Sequence, residues 1–210
     1  MRSRTTVATM AAMLVLPTAA MALPPDPILD LLTDALIVPY DDAGPSPYPE
    51  ITLKLRSGRN GGTWDGIGIM SSQAAADRIH FGFEITAVGS AQNDLLPVPY
   101  DVFADLPVDP TTVFMWYTVV GDADLDRVVG ESDRQILLQY YDGGIRDDRY
   151  WCQGDFNYDG KVDDIDANVL NRMYGTSLDS IPEPATLSLL AVGALLLIRR
   201  RAAVAYATRR

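Results

Sequence analysis

One pattern constrains this chain more than any other. The segment "GDADLDRVVGESDRQILLQYY", starting at Gly121, recurs 33 residues later as "GDFNYDGKVDDIDANVLNRMY", starting at Gly154. The offset pairs Gly121 with Gly154, Asp122 with Asp155, Asp124 with Asn157, Asp126 with Asp159, Val129 with Val162 and Asp133 with Asp166. Ile136, Leu137, Tyr140 and Tyr141 then pair with Val169, Leu170, Met173 and Tyr174, a spacing that lines one face of a helix. Each unit therefore reads as an acidic loop leading into an amphipathic helix. Carboxylates crowded in this way repel one another unless a positive charge sits among them.

Oxygen ligands at loop positions 1, 3, 5 and 12, with a carbonyl at position 7, form the Ca²⁺ arrangement of the EF-hand loop. A hard cation of this size takes six to eight oxygens, and alternate residues of a tight loop can point theirs inward. In the first loop the expected ligands are Asp122, Asp124, Asp126, the carbonyl of Val128, and Asp133. In the second they are Asp155, Asn157, Asp159, the carbonyl of Lys161, and Asp166, with Asp163 at position nine ligating directly or through water. Position nine of the first loop is Gly130, so water serves there. Gly160 supplies the sharp turn at position six, where the first loop has Arg127. A side chain at that backbone conformation is costly, and the arginine charge opposes the cation, so the second site is expected to be the stronger.

Two Asp-ended loop–helix units, each without the preceding helix of a full EF-hand, resemble a type I dockerin over residues 120–178. The resemblance implies two Ca²⁺ sites, antiparallel packing of the two helices, and folding that depends on metal. It also implies that Val129 and Val162 join the two loops by short backbone pairing. Dockerins of cellulose-degrading assemblies dock carbohydrate-active enzymes onto cohesin modules through loop positions ten and eleven, usually Ser or Thr. Those positions are Glu131 and Ser132, then Asp164 and Ile165, so one of the four keeps that chemistry. The strand-like "TTVFMWYTVV" running directly into the first loop is similar to exported dockerin-ended proteins of environmental bacteria such as planctomycetes.

The two ends of the chain read as addresses. Residues 1–22 carry Arg2 and Arg4, an apolar stretch, and small residues at Ala20 and Ala22, the pattern of a signal peptide cleaved after Ala22. At the other end, Ala185 to Ile198 is an uncharged apolar run of 14 residues stopped by Arg199, Arg200 and Arg201. That is short of the roughly 20 residues a full bilayer span needs. Introduced by Pro182, Glu183 and Pro184, this tail (181–201, with a cytoplasmic remnant 202–210) resembles the PEP-CTERM sorting signal. The resemblance implies an exosortase as processing partner and membrane contact through the C-terminal helix at least until cleavage. Permanent single-span anchoring is the alternative.

The two ends, 1–22 and 185–210, hold seven of the 17 Lys and Arg and none of the 28 acids, so the remainder has 10 bases and a net charge of −18. Such a surface repels nucleic acid and attracts divalent cations. Cys152 is the one cysteine, so no internal disulfide is available, and the thiol is expected to be buried beside Trp151.

Residues 23–50 read as a proline-rich lead, with Ile28, Leu29, Leu31, Leu32 and Leu36 lining a short helix before an extended linker. Residues 51–120 read as a β-rich module. Its expected strands are "ITLKLRS", "RIHFGFEITAV" and a central, covered "TTVFMWYTVV", with one or two helical turns in "SSQAAAD". His80, the only histidine, falls in the second strand pattern as a half-buried residue. Trp64, Trp116 and Tyr117 are read as core, with a sugar-stacking platform as the rival reading.

The expected fold is α+β: a small β-rich N-terminal module, then a dockerin-like pair of Ca-loop–helix (half EF-hand) units at 121–178, flanked by an N-terminal signal helix and a C-terminal apolar helix. No catalytic constellation is legible, so the chain is expected to be a non-catalytic Ca²⁺-binding protein of the cell surface or extracellular matrix. The rival is a docking component of polysaccharide binding or degradation, with a cohesin-like partner and glycan contact by the β-rich module.

Overall fold

A computed structural model describes residues 14–15, 29–41 and 43–182. The fold is α+β, with a β-rich N-terminal part and four α-helices among the described residues. The elements are β1 Leu14–Val15, β2 Leu29–Asp30, β3 Ala35–Pro39, α1 Tyr48–Arg59, β4 Ile69–Met70, α2 Ser72–Phe81 and β5 Thr86–Gln92. They continue with β6 Val102–Phe103, β7 Leu106–Pro107, β8 Thr112–Val119, α3 Glu131–Tyr140 and α4 Asp164–Met173. Among the described residues, one compact unit extends to Leu178.

The main sheet has the order β1-β3-β8-β5, so β8 lies at its centre, as its doubly apolar sequence predicts. It runs antiparallel to β3, pairing Met115 with Leu36, and antiparallel to β5, pairing Trp116 with Gly89. Val113, Phe114, Met115 and Val119 are fully buried. Tyr117 of this sheet and Trp64, which donates through Nε1 to Glu84 at 2.8 Å, are buried in the core, while Trp116 is half-buried with its ring edge-on to Phe103 at 5.1 Å.

Several sequence expectations are overturned here. "ITLKLRS" lies in α1, not in a strand. Its Ile51–Leu53–Leu55 alternation fits a strand, but Tyr48, Ile51, Leu55 and Gly58 share a helical spacing and are the buried ones, while Leu53 is 64% exposed. Pro49 in the first turn, Glu50 near the start, and Arg56 and Arg59 in the last turn favour the helix, which ends at left-handed Asn60. The helix expected at 28–36 is instead β2, a turn, and β3: the Asp30 carboxylate accepts from Leu32 N–H and Ser72 N–H, and β2 pairs in parallel with β4. The stretch read as an extended linker ends inside the core, since Tyr48 is buried and its hydroxyl donates to the Ser90 carbonyl at 2.7 Å.

"RIHFGFEITAV" is divided by Gly82, which caps α2 in the left-handed region at φ 80°. His80 is consequently an exposed helical residue, not a half-buried strand residue. "SSQAAAD" opens α2, with Ser71 as a cap that accepts from Ala74 N–H. Of the expected signal segment only Leu14–Val15 is described, as a short strand parallel to Leu36–Ile37 and so not helical there.

The repeat region shares a core with the sheet. A Cβ added at Gly89 of β5 would lie 2.6 Å from Leu125 and 2.8 Å from Trp151, so only glycine allows these two side chains to seat on the strand. Trp151 donates through Nε1 to the Asp122 carbonyl, and Arg59 of α1 donates to the Asn157 carbonyl at 3.0 Å. Cys152 is fully buried beside Trp151, as expected, and its sulfur lies 3.6 Å from the Tyr48 hydroxyl oxygen. The sequence boundary between 120 and 121 therefore coincides with no break in packing.

Candidate metal centre

The two loops share a set of internal hydrogen bonds at positions one, three, five and twelve, and differ at position one, where Asp155 Oδ1 accepts from Asp159 N–H at 3.1 Å and Asp122 Oδ1 has no such donor. At position one, Asp122 Oδ2 accepts from Arg127 N–H at 2.9 Å, and Asp155 Oδ2 accepts from Gly160 N–H at 2.8 Å. At position three, Asp124 accepts from Asp126 N–H and Asn157 from Asp159 N–H. At position five, Asp126 accepts from Val128 N–H at 2.8 Å and Asp159 from Lys161 N–H at 2.9 Å. At position twelve each carboxylate spans its loop: Asp133 accepts from Ala123 and Gly130, Asp166 from Phe156 and Asp163. The left-handed residues also coincide, with Leu125 and Tyr158 at position four and Arg127 and Gly160 at position six. Arg127 accordingly carries a side chain at φ 72°, the strained backbone its position demands. Its guanidinium carbon lies 5.1 Å from the centre of the Trp116 ring.

The units also pack reciprocally. A Cβ at Gly121 would lie 3.5 Å from Leu170 of α4, and one at Gly154 would lie 3.1 Å from Leu137 of α3. Tyr141 donates to Asp164 at 2.6 Å, and Tyr174 donates to Glu131 at 3.2 Å. The expected pairing of Val129 with Val162 does not form. Val129 N–H donates to the Thr176 carbonyl and its carbonyl accepts from Gly175 N–H, while the Val162 carbonyl accepts from Asp142 N–H. Each loop is thus tied to the segment that follows the other unit's helix, because the chain leaving each helix passes the opposite loop.

Burial makes these loops electrostatically demanding. Asp122, Asp133, Asp155 and Asp166 are all fully buried. Burial holds the Asp122 carboxyl well above the ordinary range, with Asp133, Asp124 and Asp126 adding to the effect. Burial likewise pushes Asp133 to about 7, Asp155 to about 8 and Asp166 to about 6. Asp122 Oδ2 is served by Arg127 N–H and the Thr118 hydroxyl, but Oδ1, equally buried, has no hydrogen-bond partner. An orphaned carboxylate oxygen in the interior calls for a proton, a cation or a bound water. Carboxylate oxygens of Asp122, Asp124 and Asp126 converge within 4.8 Å of one another. A donor set made of carboxylates and carbonyls suits a hard divalent cation, so the residues present fit Ca²⁺.

Asp163 caps α4, accepting from Ile165 N–H at 2.8 Å, and Val128 and Lys161 sit at the exposed rims of their loops. Sequence reading missed the structural use of position four. Leu125 and Tyr158 are the apolar residues of polar loops and both are buried, a signal that was present in the repeat alignment. It also missed the Tyr141 and Tyr174 contacts, for which tyrosine at both matched positions was the signal. Of the sorting-signal residues, Pro182 is exposed, and Glu183, Pro184, Arg199, Arg200 and Arg201 lie outside the described residues. Among the described residues no helix is long and apolar enough to cross a membrane; the Ala185–Ile198 run lies outside them.

The family model for the PEP-CTERM protein-sorting motif matches residues 180–202. No curated protein and no solved structure matches the chain. The motif marks an exported, cell-surface protein processed by an exosortase.

Proposed function

We propose that this exported protein is a non-catalytic Ca²⁺-binding protein of the cell surface or matrix, with a dockerin-like pair of loops each holding one ion. Asp122, Asp124, Asp126, Asp133 and the Val128 carbonyl form the first ligand set. Asp155, Asn157, Asp159, Asp166, the Lys161 carbonyl and Asp163 form the second. The observation that carries this reading is the orphaned, buried Asp122 Oδ1 within a loop whose shared bonds at positions one, three, five and twelve recur 33 residues on. Calorimetric titration of Ca²⁺ into the wild type and into Asp122→Ala and Asp155→Ala proteins tests it: two ions per chain are expected, with one lost in each variant. Uptake of none, or loss of neither in the variants, contradicts it.

A second reading is a docking component of polysaccharide assemblies. Ile165, Tyr141 and Tyr174 favour it, being exposed apolar side chains at or beside the reciprocal contacts of the two units. A Ca²⁺-dependent, EDTA-reversible complex with a cohesin-like module supports that reading, and failure of Ile165→Asp to weaken the complex opposes it.

A further inference from the structure

We propose that the first loop is the open one of the pair, and that a cation held there shares its coordination sphere with a neutral polyhydroxylated ligand, a short glycan, seated in the adjoining cleft. This rests on the Ca²⁺ reading above. The two loops differ where it matters. At position nine the second has Asp163, whereas the first has Gly130, whose extended backbone leaves open space where a Cβ would be. The first set therefore offers five protein residues, each through one oxygen or two, to an ion that takes six to eight oxygens.

The surroundings differ in the same sense. A cleft of about 430 Å³ opens onto Asp124 and Asp126 of the first loop. The smaller cleft beside the second loop, about 210 Å³, reaches Gly160 but none of the side chains of that ligand set. One wall of the larger cleft is Pro97, Val98 and Pro99, with Val98 80% exposed; the opposite wall is α3, which supplies Ser132 and Gln139. The Tyr100 hydroxyl donates to the Asp124 carbonyl at 3.0 Å and so ties the apolar wall to the loop.

An apolar wall facing a hydroxyl, amides and a partly coordinated cation matches a sugar ring. The C–H face of the ring covers the prolines and valine, while ring hydroxyls take the polar groups and the ion's open positions. No Lys or Arg lines the cleft, and the exported part is strongly acidic, so a neutral glycan is favoured over an anionic one.

The test titrates cellotetraose and xylotetraose calorimetrically into the Ca²⁺-loaded protein, with Ca²⁺ stoichiometry measured separately. The expected result is that at least one tetrasaccharide binds, that EDTA abolishes binding, and that Gln139→Ala weakens it by about tenfold or more. Gly130→Asp is the sharper variant: it gives the first loop the second loop's position nine, and should tighten Ca²⁺ while weakening the tetrasaccharide. Ca²⁺ uptake without binding of either tetrasaccharide overturns this inference and leaves the proposed function standing. Tetrasaccharide binding indifferent to EDTA and to Gly130→Asp overturns it as well. Absence of Ca²⁺ uptake overturns both.

Discussion

The Tyr158 hydroxyl, at position four of the second loop, donates to the Val88 carbonyl of β5 at 2.7 Å. Leu125, its counterpart in the first loop, abuts Gly89, the next residue of the same strand. Both loops use a left-handed residue to send a buried side chain into the sheet, so the repeat pair and the sheet share one core. Loop geometry and sheet stability are coupled through these two residues.

Tyr158→Phe keeps the ring, which stacks 5.3 Å from Trp151, but loses the bond to Val88. It should cost about 1 kcal/mol in urea unfolding. Tyr158→Ala leaves a cavity and should cost about 3–5 kcal/mol. Equal stability of both variants and the wild type would show that the Tyr158 side chain contributes nothing to the core.

Gly89→Ala puts a methyl group where Leu125 and Trp151 already sit. The overpacking cost expected is about 1–3 kcal/mol. Pairing it with Leu125→Ala should recover part of that loss; strict additivity of the two changes would argue against direct contact.

How much of this was readable beforehand depended on which signal dominated. The acidic repeat was legible because ligand spacing, loop turn and helix face all point the same way in "GDADLD" and "GDFNYD". Strand β8 was legible from its unbroken apolar run. Helix α1 was not: Ile51, Leu53 and Leu55 satisfy an alternating pattern, and the choice of helix is settled by Tyr48 and Gly58, which lay outside the window read as a strand. The shared core was hidden because it depends on long-range partners, Gly89 and Val88, that no local pattern connects to position four.

Arg127→Gly removes a side chain from φ 72° and a positive charge from the first loop. It should raise Ca²⁺ affinity at the first site by about fivefold, about 1 kcal/mol, since the arginine charge opposes the cation. Calorimetry with the second site disabled by Asp155→Ala isolates the effect. Unchanged or weaker binding contradicts the assigned opposition between the arginine and the cation.

The pH response of the Ca²⁺-free protein follows from the raised carboxyls. Asp155 titrates at about 8 and Asp133 at about 7 when folded, against about 4 in an unfolded chain. The folded state therefore binds more protons than the unfolded state across that window, and stability falls as pH rises from about 4 to 8. With saturating Ca²⁺ the cation takes the place of the protons, so the decline should disappear or reverse. Thermal unfolding at pH 5 and pH 8, with and without EDTA, measures it; a Ca²⁺-free protein more stable at pH 8 than at pH 5 contradicts the account.

The most direct measurement of the central claim is the Ca²⁺ stoichiometry of the purified exported protein, read together with its unfolding. Two ions per chain and one cooperative transition are expected, in which the sheet and the repeat pair melt together at a higher temperature in Ca²⁺ than in EDTA. No Ca²⁺ uptake, or a sheet transition that Ca²⁺ leaves unmoved, would contradict it.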